Sequence, residues 1–427
     1  MLDVYLGAVL VGHLEQASPN RIRLRYTADA ITNGLALSVA LPARSDPYEN
    51  DEAVPFFEGL LPEGAALRTI SRALGISPHN VFSALEQIGR DCGGAVTIVP
   101  HGRPPTRDAA TRARPLDDEA LATLIADLPA RPLGIAPDDD VRLSLAGAQD
   151  KLVLRKQADG TLALPLDGAP STHILKPDPG IGGMDDMVVN EAFCLAVCRR
   201  AGLPTASAEI VTVGGRTALL VERFDRLVDP ETGAITRLHQ EDACQALGIP
   251  SEAKYQAEGG PGPAAIVVLL TRATRPSAPN VLGFLDQLVT RYVLGDHDGH
   301  GKNIALLSTP TGRRLAPIYD VVATAAYRSL SPKMAMNIGR ISRRLRRVAP
   351  LGTIECRIDV GCRRLPYASP HARRCVAGGR SRRTRCIQSR RSHGRSDRSH
   401  RRDRGPARHQ GVALSDDRCP QCAPWRR

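Results

Sequence analysis

The sequence predicts an α+β fold of two lobes, a mixed α/β N-lobe followed by a helical C-lobe. Three features predict it. Short apolar runs with period-two alternation crowd the first half, as in Arg21 to Tyr26 and Ala208 to Val213, and that period marks half-buried strands. The longer apolar segments at 264–272 and 281–294 carry helical spacing instead. Between the second of these and a short hairpin lies a polar loop, Gly295 to Asn303, with Asp298 and Asn303 five positions apart and Asp320 seventeen further on.

In order along the chain, residues 2–15 turn around Gly7 and Gly12 as a hairpin, Arg21 to Tyr26 is a strand, and Leu35 to Leu41 reads as another. Helical spacing follows Phe56 to Gly64 as far as Leu74, Ser77 to Asn80 opens a second helix, and Ala95 to Val99 returns as a strand. These 1–100 residues form one α+β unit. A segment at 101–140 joins it to the next: Pro/Arg-rich to residue 115, then a helix from Asp117 to Leu128 with acids at its start. A nucleotide-binding lobe is expected at 141–235, where Val141 to Leu145 and Leu152 to Leu154 flank the small-residue loop Ala146, Gly147, Ala148, Gln149, Asp150, Lys151. That loop matches neither a Walker pattern nor G-x-G-x-x-G, and alone it is a plain hairpin turn.

Lys176 ends the apolar strand Ser171 to Pro177, and Glu191 stands at the start of an amphipathic helix running to Gly202. Lysine is scarce before residue 340, six against 26 arginines, so a lone strand lysine carries weight. The hairpin Ala208 to Val221 then leads into the irregular Glu222, Arg223, Phe224, Asp225. The second lobe, 236–339, holds a helix to Leu247, a Gly-rich loop at 254–263, the two longer helices, and the Asp298 loop. Asp-x4-Asn alone is a pattern that turn chemistry also produces. The order of small-residue loop, strand Lys, helix Glu, Asp-x4-Asn and a later Asp is that of a protein kinase. In that reading Asp298 is the base, Asn303 and Asp320 are the Mg²⁺ ligands, Lys176 clamps ATP phosphate, and His300 and Lys302 lie beside the base.

The motifs also resemble those of the HipA-like serine/threonine kinases, the toxin halves of bacterial toxin–antitoxin modules. The similarity rests on 144–151, 172–177, 221–226, 240–244, 298–303 and 317–320, with 57–64 similar to the family's N-terminal subdomain. It implies a two-lobed protein-kinase-like fold of the HipA type that binds ATP and Mg²⁺. It implies that Glu222 and Phe224 meet adenine through their backbone, that Asp225 lies near the ribose, and that Tyr319 belongs to the nucleotide site. Ser144 matches the residue that is autophosphorylated, where an added charge of about −2 withdraws the loop. The implied partners are a HipB-like helix-turn-helix antitoxin, operator DNA reached through it, and a protein substrate such as glutamyl-tRNA synthetase. A catalytically inactive corepressor is the competing reading. A small-molecule or lipid kinase is a third, because substrate choice lies in surface loops.

Charge divides the chain. The formal net charge is +12, but residues 340–427 hold 25 Arg, no Lys and 6 acids, leaving 32 basic and 39 acidic residues before them. Six of the ten cysteines also lie in that last segment. The four others, Cys92, Cys194, Cys198 and Cys244, suit unpaired thiols in a reduced compartment. From Arg340 onward no helical period is sustained. Two readings stand: an out-of-frame product of a GC-rich gene replacing the last helices, or a disordered segment that binds nucleic acid. No apolar run is long enough to span a membrane, and Asp3 with no basic region at the start argues against a secretory signal and for the cytoplasm.

Overall fold

The computed structural model describes residues 1–105, 112–135, 141–147, 149–180, 182 and 184–339, and the backbone of 341–343. The expectations for Ala148 and for the Arg-rich segment from 340 on fall outside these residues, the backbone of 341–343 excepted.

The first sheet is built from β1 (Leu2–Leu6), β2 (Val9–Ser18), β3 (Arg21–Tyr26) and β4 (Val96–Pro100), ordered β3-β2-β1-β4 and antiparallel throughout. Leu2 and Val4 alternate inward on β1, Ile22 and Leu24 on β3, each buried. Helices α1 (Ala28–Thr32), α2 (Asn50–Glu58), α3 (Gly64–Ala73) and α4 (Val81–Ile88) pack around it. The Ser77 to Asn80 start is confirmed: the Asn80 side chain accepts from Ser83 N and caps α4.

Leu35 to Leu41 is not a strand. Leu37 and Leu41 are buried as the alternation requires, but side chains replace the ladder. Tyr26 OH accepts from Leu37 N at 2.9 Å and donates to Leu41 O at 2.6 Å, and Val39 N donates to the Glu241 carboxylate at 3.1 Å. Val141 to Leu145 is likewise no strand: it makes a single bridge, Leu143 to Asp91.

The second sheet takes β5 (Ala113–Pro115), β6 (Leu152–Lys156), β7 (Leu162–Pro165), β8 (His173–Pro177), β9 (Ala208–Val213) and β10 (Arg216–Glu222), ordered β5-β7-β6-β8-β10-β9. Between β5 and β6 lies α5 (Asp118–Asp127), capped by Asp117. Between β8 and β9 lies α6 (Met187–Arg200), which begins three residues earlier than Asn190. Lys176 is paired with Leu219 at the centre of this sheet. One hydrophobic cluster runs from Leu2 on β1 to Leu220 on β10, so the two sheets share a core.

Beyond it come the small pair β11 (Arg226–Val228) and β12 (Ile235–Arg237), then β13 (Gln240–Asp242), α7 (Ala243–Leu247), α8 (Pro263–Ala273), α9 (Ser277–Leu294), β14 (Ala305–Thr309), β15 (Gly312–Leu315), β16 (Lys333–Ile338) and β17 (Ile341–Arg343). This half is less helical than expected, because a three-stranded sheet β13-β14-β15 lies beside α7, α8 and α9. The short, polar β13 gave no period to read; it pairs with β14, 65 positions away in register (Gln240 with Leu307 at 67, Asp242 with Ala305 at 63).

Candidate active site

A cavity of about 950 Å³ lies between the second sheet and the second half of the chain. It is lined by Ala146, Gly147, Gln149, Asp150 and Lys151, by Lys176, by Glu222, Arg223, Phe224 and Asp225, and by Asp298, His300, Lys302, Asn303, Tyr319 and Asp320. Among these residues, a sequence separation of 174, Ala146 to Asp320, is closed in one pocket.

Strand β8 delivers Lys176 and helix α6 delivers Glu191, whose Oε1 accepts from Lys176 Nζ at 2.8 Å. The same ammonium donates to Asp320 Oδ1 at 2.7 Å. Burial works against the charge on Lys176, but the Asp320 and Glu191 carboxylates outweigh it and hold the amine protonated above its ordinary range. Burial opposes the Asp320 charge too, and Lys176 reverses this, keeping the carboxylate ionised. Asp320 has φ 52°, a left-handed conformation costly for a residue with a Cβ. Arg291 on α9 holds the chain on both sides of that bend, donating to Asp320 O at 2.9 Å and Tyr319 O at 2.6 Å.

The Asp298 loop follows the left-handed C-cap Gly295 of α9. Asp296 pairs with Arg291, and its Oδ1 accepts from Asp298 N at 2.9 Å. Asn303 Nδ2 donates to Asp298 O at 3.2 Å, so the two ends of Asp-x4-Asn are tied together. Burial pushes the Asp298 carboxyl up from its usual range, partly offset by a hydrogen bond from Tyr255 OH. Burial also lowers His300 to about 3, leaving a neutral ring, and its buried Nδ1 has no hydrogen-bond partner among the described residues.

The small-residue loop docks on the first half: Glu63 N donates to Gly147 O at 3.3 Å. Lys151 Nζ donates to Ala146 O at 2.7 Å, and burial brings this amine down to about 8. Gly147 sits at φ 111°, where a Cβ is strained, and a Cβ there would also displace the Lys151 ammonium.

Several of the expected site residues are also engaged in contacts within the protein. Both Asp225 oxygens are consumed by Arg223 and, at Oδ2, by Gly94 N at 2.8 Å; with Arg226 they form a buried network joined to Asp91. Its side chain therefore braces this network at the cavity wall. Lys302 Nζ donates to Asp242 Oδ2 at 3.1 Å and Ser251 Oγ at 3.2 Å, which makes it a tether of the Asp298 loop to the start of α7. Tyr319 OH donates to Lys302 O at 2.6 Å and steadies the same loop. Ser144 does not line the cavity: it is fully buried, with Oγ donating to Leu60 O at 2.7 Å.

Three residues were not singled out from sequence. Tyr255 donates to Asp298 Oδ1 at 2.7 Å and stacks edge-on against His300, Lys254 Nζ donates to Glu63 Oε2 at 2.8 Å, and Arg291 anchors the Asp320 bend. Glu63 lay within the noted 57–64 stretch, but nothing local marked it as facing a lysine 191 positions away.

An Mg²⁺ ion fits the donor set, because the Asp320 carboxylate and the Asn303 amide are hard oxygen donors in one cavity. The buried unpartnered His300 Nδ1 is a further polar atom suited to a ligand in that cavity.

Residues 2–99 match the HipA N-terminal domain, and residues 143–375 match the HipA-like C-terminal domain. The chain is 41% identical over 345 residues, 80% of its length and 81% of the relative's, to a Sinorhizobium fredii protein named "Putative kinase Y4mE". It is 31% identical over 355 residues, 79% and 78% of the two lengths, to the serine/threonine-protein kinase toxin HipA of Shewanella oneidensis. Its fold is similar to that of the Shewanella oneidensis HipA solved with HipB and its operator DNA, with TM-score 0.69, 30% identity and 81% of each chain covered. Two matched domains, a lysine–glutamate pair and an Asp-x4-Asn loop facing one cavity agree, and the chain belongs to the HipA family of serine/threonine kinases.

Proposed function

We propose that this chain transfers the γ-phosphoryl group of ATP to a serine or threonine hydroxyl of a protein, as the toxin of a toxin–antitoxin pair. The observation that carries the reading is Lys176, bonded at once to Glu191 and Asp320 in the cavity that holds Asp298 and Asn303. Lys176 clamps phosphate oxygens, and Asp298 orients the acceptor hydroxyl and takes its proton. Asn303 and Asp320 would hold Mg²⁺, which would supply charge neutralisation at the phosphates. Lys151 and the backbone of 146–150 cover the nucleotide, and the backbone of Glu222 and Phe224 meets adenine.

The protein target is of the aminoacyl-tRNA synthetase class, such as the glutamyl enzyme, so that phosphorylation blocks translation in the cytoplasm. The partner is a HipB-like helix-turn-helix antitoxin, by likeness to the solved HipA with HipB and operator DNA. Ser144 is the site of self-phosphorylation; its burial against Leu60 O requires the 144–151 loop to swing out first. We read the Arg-rich residues 340–427 as an out-of-frame replacement for the last helices, against which stands only the extent of the family match, to residue 375; the neighbouring nucleotide sequence tests this directly.

The test is incubation of the purified chain with radiolabelled ATP and Mg²⁺. Label on Ser144 that vanishes in Asp298→Ala supports the kinase. A folded protein that takes no label and still binds an antitoxin on operator DNA supports the inactive corepressor. That second reading is favoured by one feature, the atypical composition after residue 339.

A further inference from the structure

Asp3 on β1 is 3% exposed, yet among the described residues no lysine or arginine forms an ion pair with it. Its Oδ1 lies 2.8 Å from His13 Nδ1 and 2.7 Å from His101 Nδ1, and its Oδ2 accepts from Gly102 N at 2.9 Å. The register explains the convergence. Asp3 stands opposite His13 in the β1–β2 pair and opposite Val99 in the β1–β4 pair. His101, two residues past Val99, falls on the same face. The imidazole rings meet edge-on with centroids 5.4 Å apart, and one ligand atom from each of the three residues lies within 4.8 Å of the others.

We propose that Asp3, His13 and His101 bind a divalent transition ion of the Zn²⁺ class, which clasps β1, β2 and the end of β4 together. Two imidazole nitrogens and one carboxylate oxygen are donors that such ions take in preference to Mg²⁺ or Ca²⁺. Ligand atoms about 2.1 Å from a tetrahedral ion stand roughly 3.4 Å apart. The three atoms reach that spacing by small rotations of the histidines, whose side chains are 27% and 52% exposed, while Asp3 stays fixed. Each ring proton then resides on Nε2, and each Nδ1 lone pair faces the ion. A dication also answers the buried carboxylate, beside which no lysine or arginine stands among the described residues. The half-exposed His101 leaves the fourth position to water. None of the three lines the phosphotransfer cavity, so the site stands apart from the kinase reading.

The test uses the full chain, freed of metal with EDTA and titrated with Zn²⁺ by calorimetry while Mg²⁺ is in excess. Cysteines elsewhere also take Zn²⁺, so the difference between proteins is what counts. Wild type is expected to bind one equivalent more than the His13→Ala/His101→Ala double variant. Zn²⁺ is expected to raise the Tm of wild type but not of the single variant His101→Ala, whose exposed position spares the fold, and affinity at this site falls at least tenfold or so. Equal stoichiometry in wild type and the double variant, together with equal Tm shifts in wild type and His101→Ala, would overturn the proposal and leave a hydrogen-bonded triad only. If the double variant does not fold, the Tm comparison with His101→Ala decides alone.

Discussion

Tyr255 donates its phenolic hydroxyl to Asp298 Oδ1 at 2.7 Å while its ring packs edge-on against His300. The bond lowers the Asp298 carboxyl, whose burial raises it. Tyr255→Phe removes the donor and keeps the ring. Phosphoryl transfer is expected to fall about tenfold in kcat with little change in KM for ATP. The acid limb of the pH–rate profile is expected to move upward, because Asp298 then protonates more readily. An unshifted limb would show that the phenol does not act on Asp298.

Lys176 holds two carboxylates, and its loss affects both chemistry and folding. In Lys176→Met, label transfer from ATP is expected to fall about 100-fold or more. The Glu191 side chain is only 5% exposed and is left without its cation, so stability should drop by about 3 kcal/mol. Asp320 is 41% exposed to the cavity and adds little to that figure. Urea unfolding of the two proteins measures the loss.

Asp91 is the hub of a buried network. It accepts from Ser171 N at 3.0 Å and Oγ at 2.6 Å, and pairs with Arg226 at 2.9 Å and Arg237 at 3.1 Å. It joins the first sheet to the segment after β10, and the arginines keep its carboxylate ionised against burial. Asp91→Ala is expected to cost about 3–5 kcal/mol, since it leaves guanidinium groups buried and uncompensated. A variant whose urea midpoint matched wild type would refute this assignment.

Glu241 reports on pH. Burial pushes it up to about 7 from 4.5, only partly offset by Ser38 Oγ at 2.5 Å and by Val39 N. The folded chain holds this proton where the unfolded chain has released it. Stability contributed by Glu241 is therefore full below pH 4.5 and is lost as pH rises through about 7. The slope within that window is at most about 1.4 kcal/mol per pH unit. Glu241→Gln, which cannot titrate, should flatten the difference in unfolding free energy between pH 5 and 7.

Gly301 seals the Asp298–Asn303 loop against its neighbours: a Cβ there would come within 2.6 Å of both Cys244 Sγ and Pro261 Cγ. Gly301→Ala should push Asn303 and Asp298 out of register, lowering kcat far more than it lowers Tm. Parallel rate and melting measurements distinguish the two effects.

Local chemistry was enough for the strands and helices whose period is long and clean, such as β3, β10 and α9, and for Asn80 and Asp117 as caps. It was also enough to nominate Lys176, Glu191, Asp298, Asn303 and Asp320, because those residue types at that spacing answer the needs of a phosphate and a hard cation. It failed at Leu35 to Leu41, where hydroxyl and carboxylate groups from Tyr26, Ser38 and Glu241 satisfy a backbone that alternation assigned to a ladder. Lys302 and Asp225 needed the assembled chain to reveal that their charges are already spent on Asp242 and Arg223. Tyr255 and Arg291 needed it too, since nothing near them in sequence announces a contact with Asp298 or with the Asp320 bend. Residue type and spacing specify which groups are capable of the chemistry; only packing across long sequence distances decides which of them remain free to perform it.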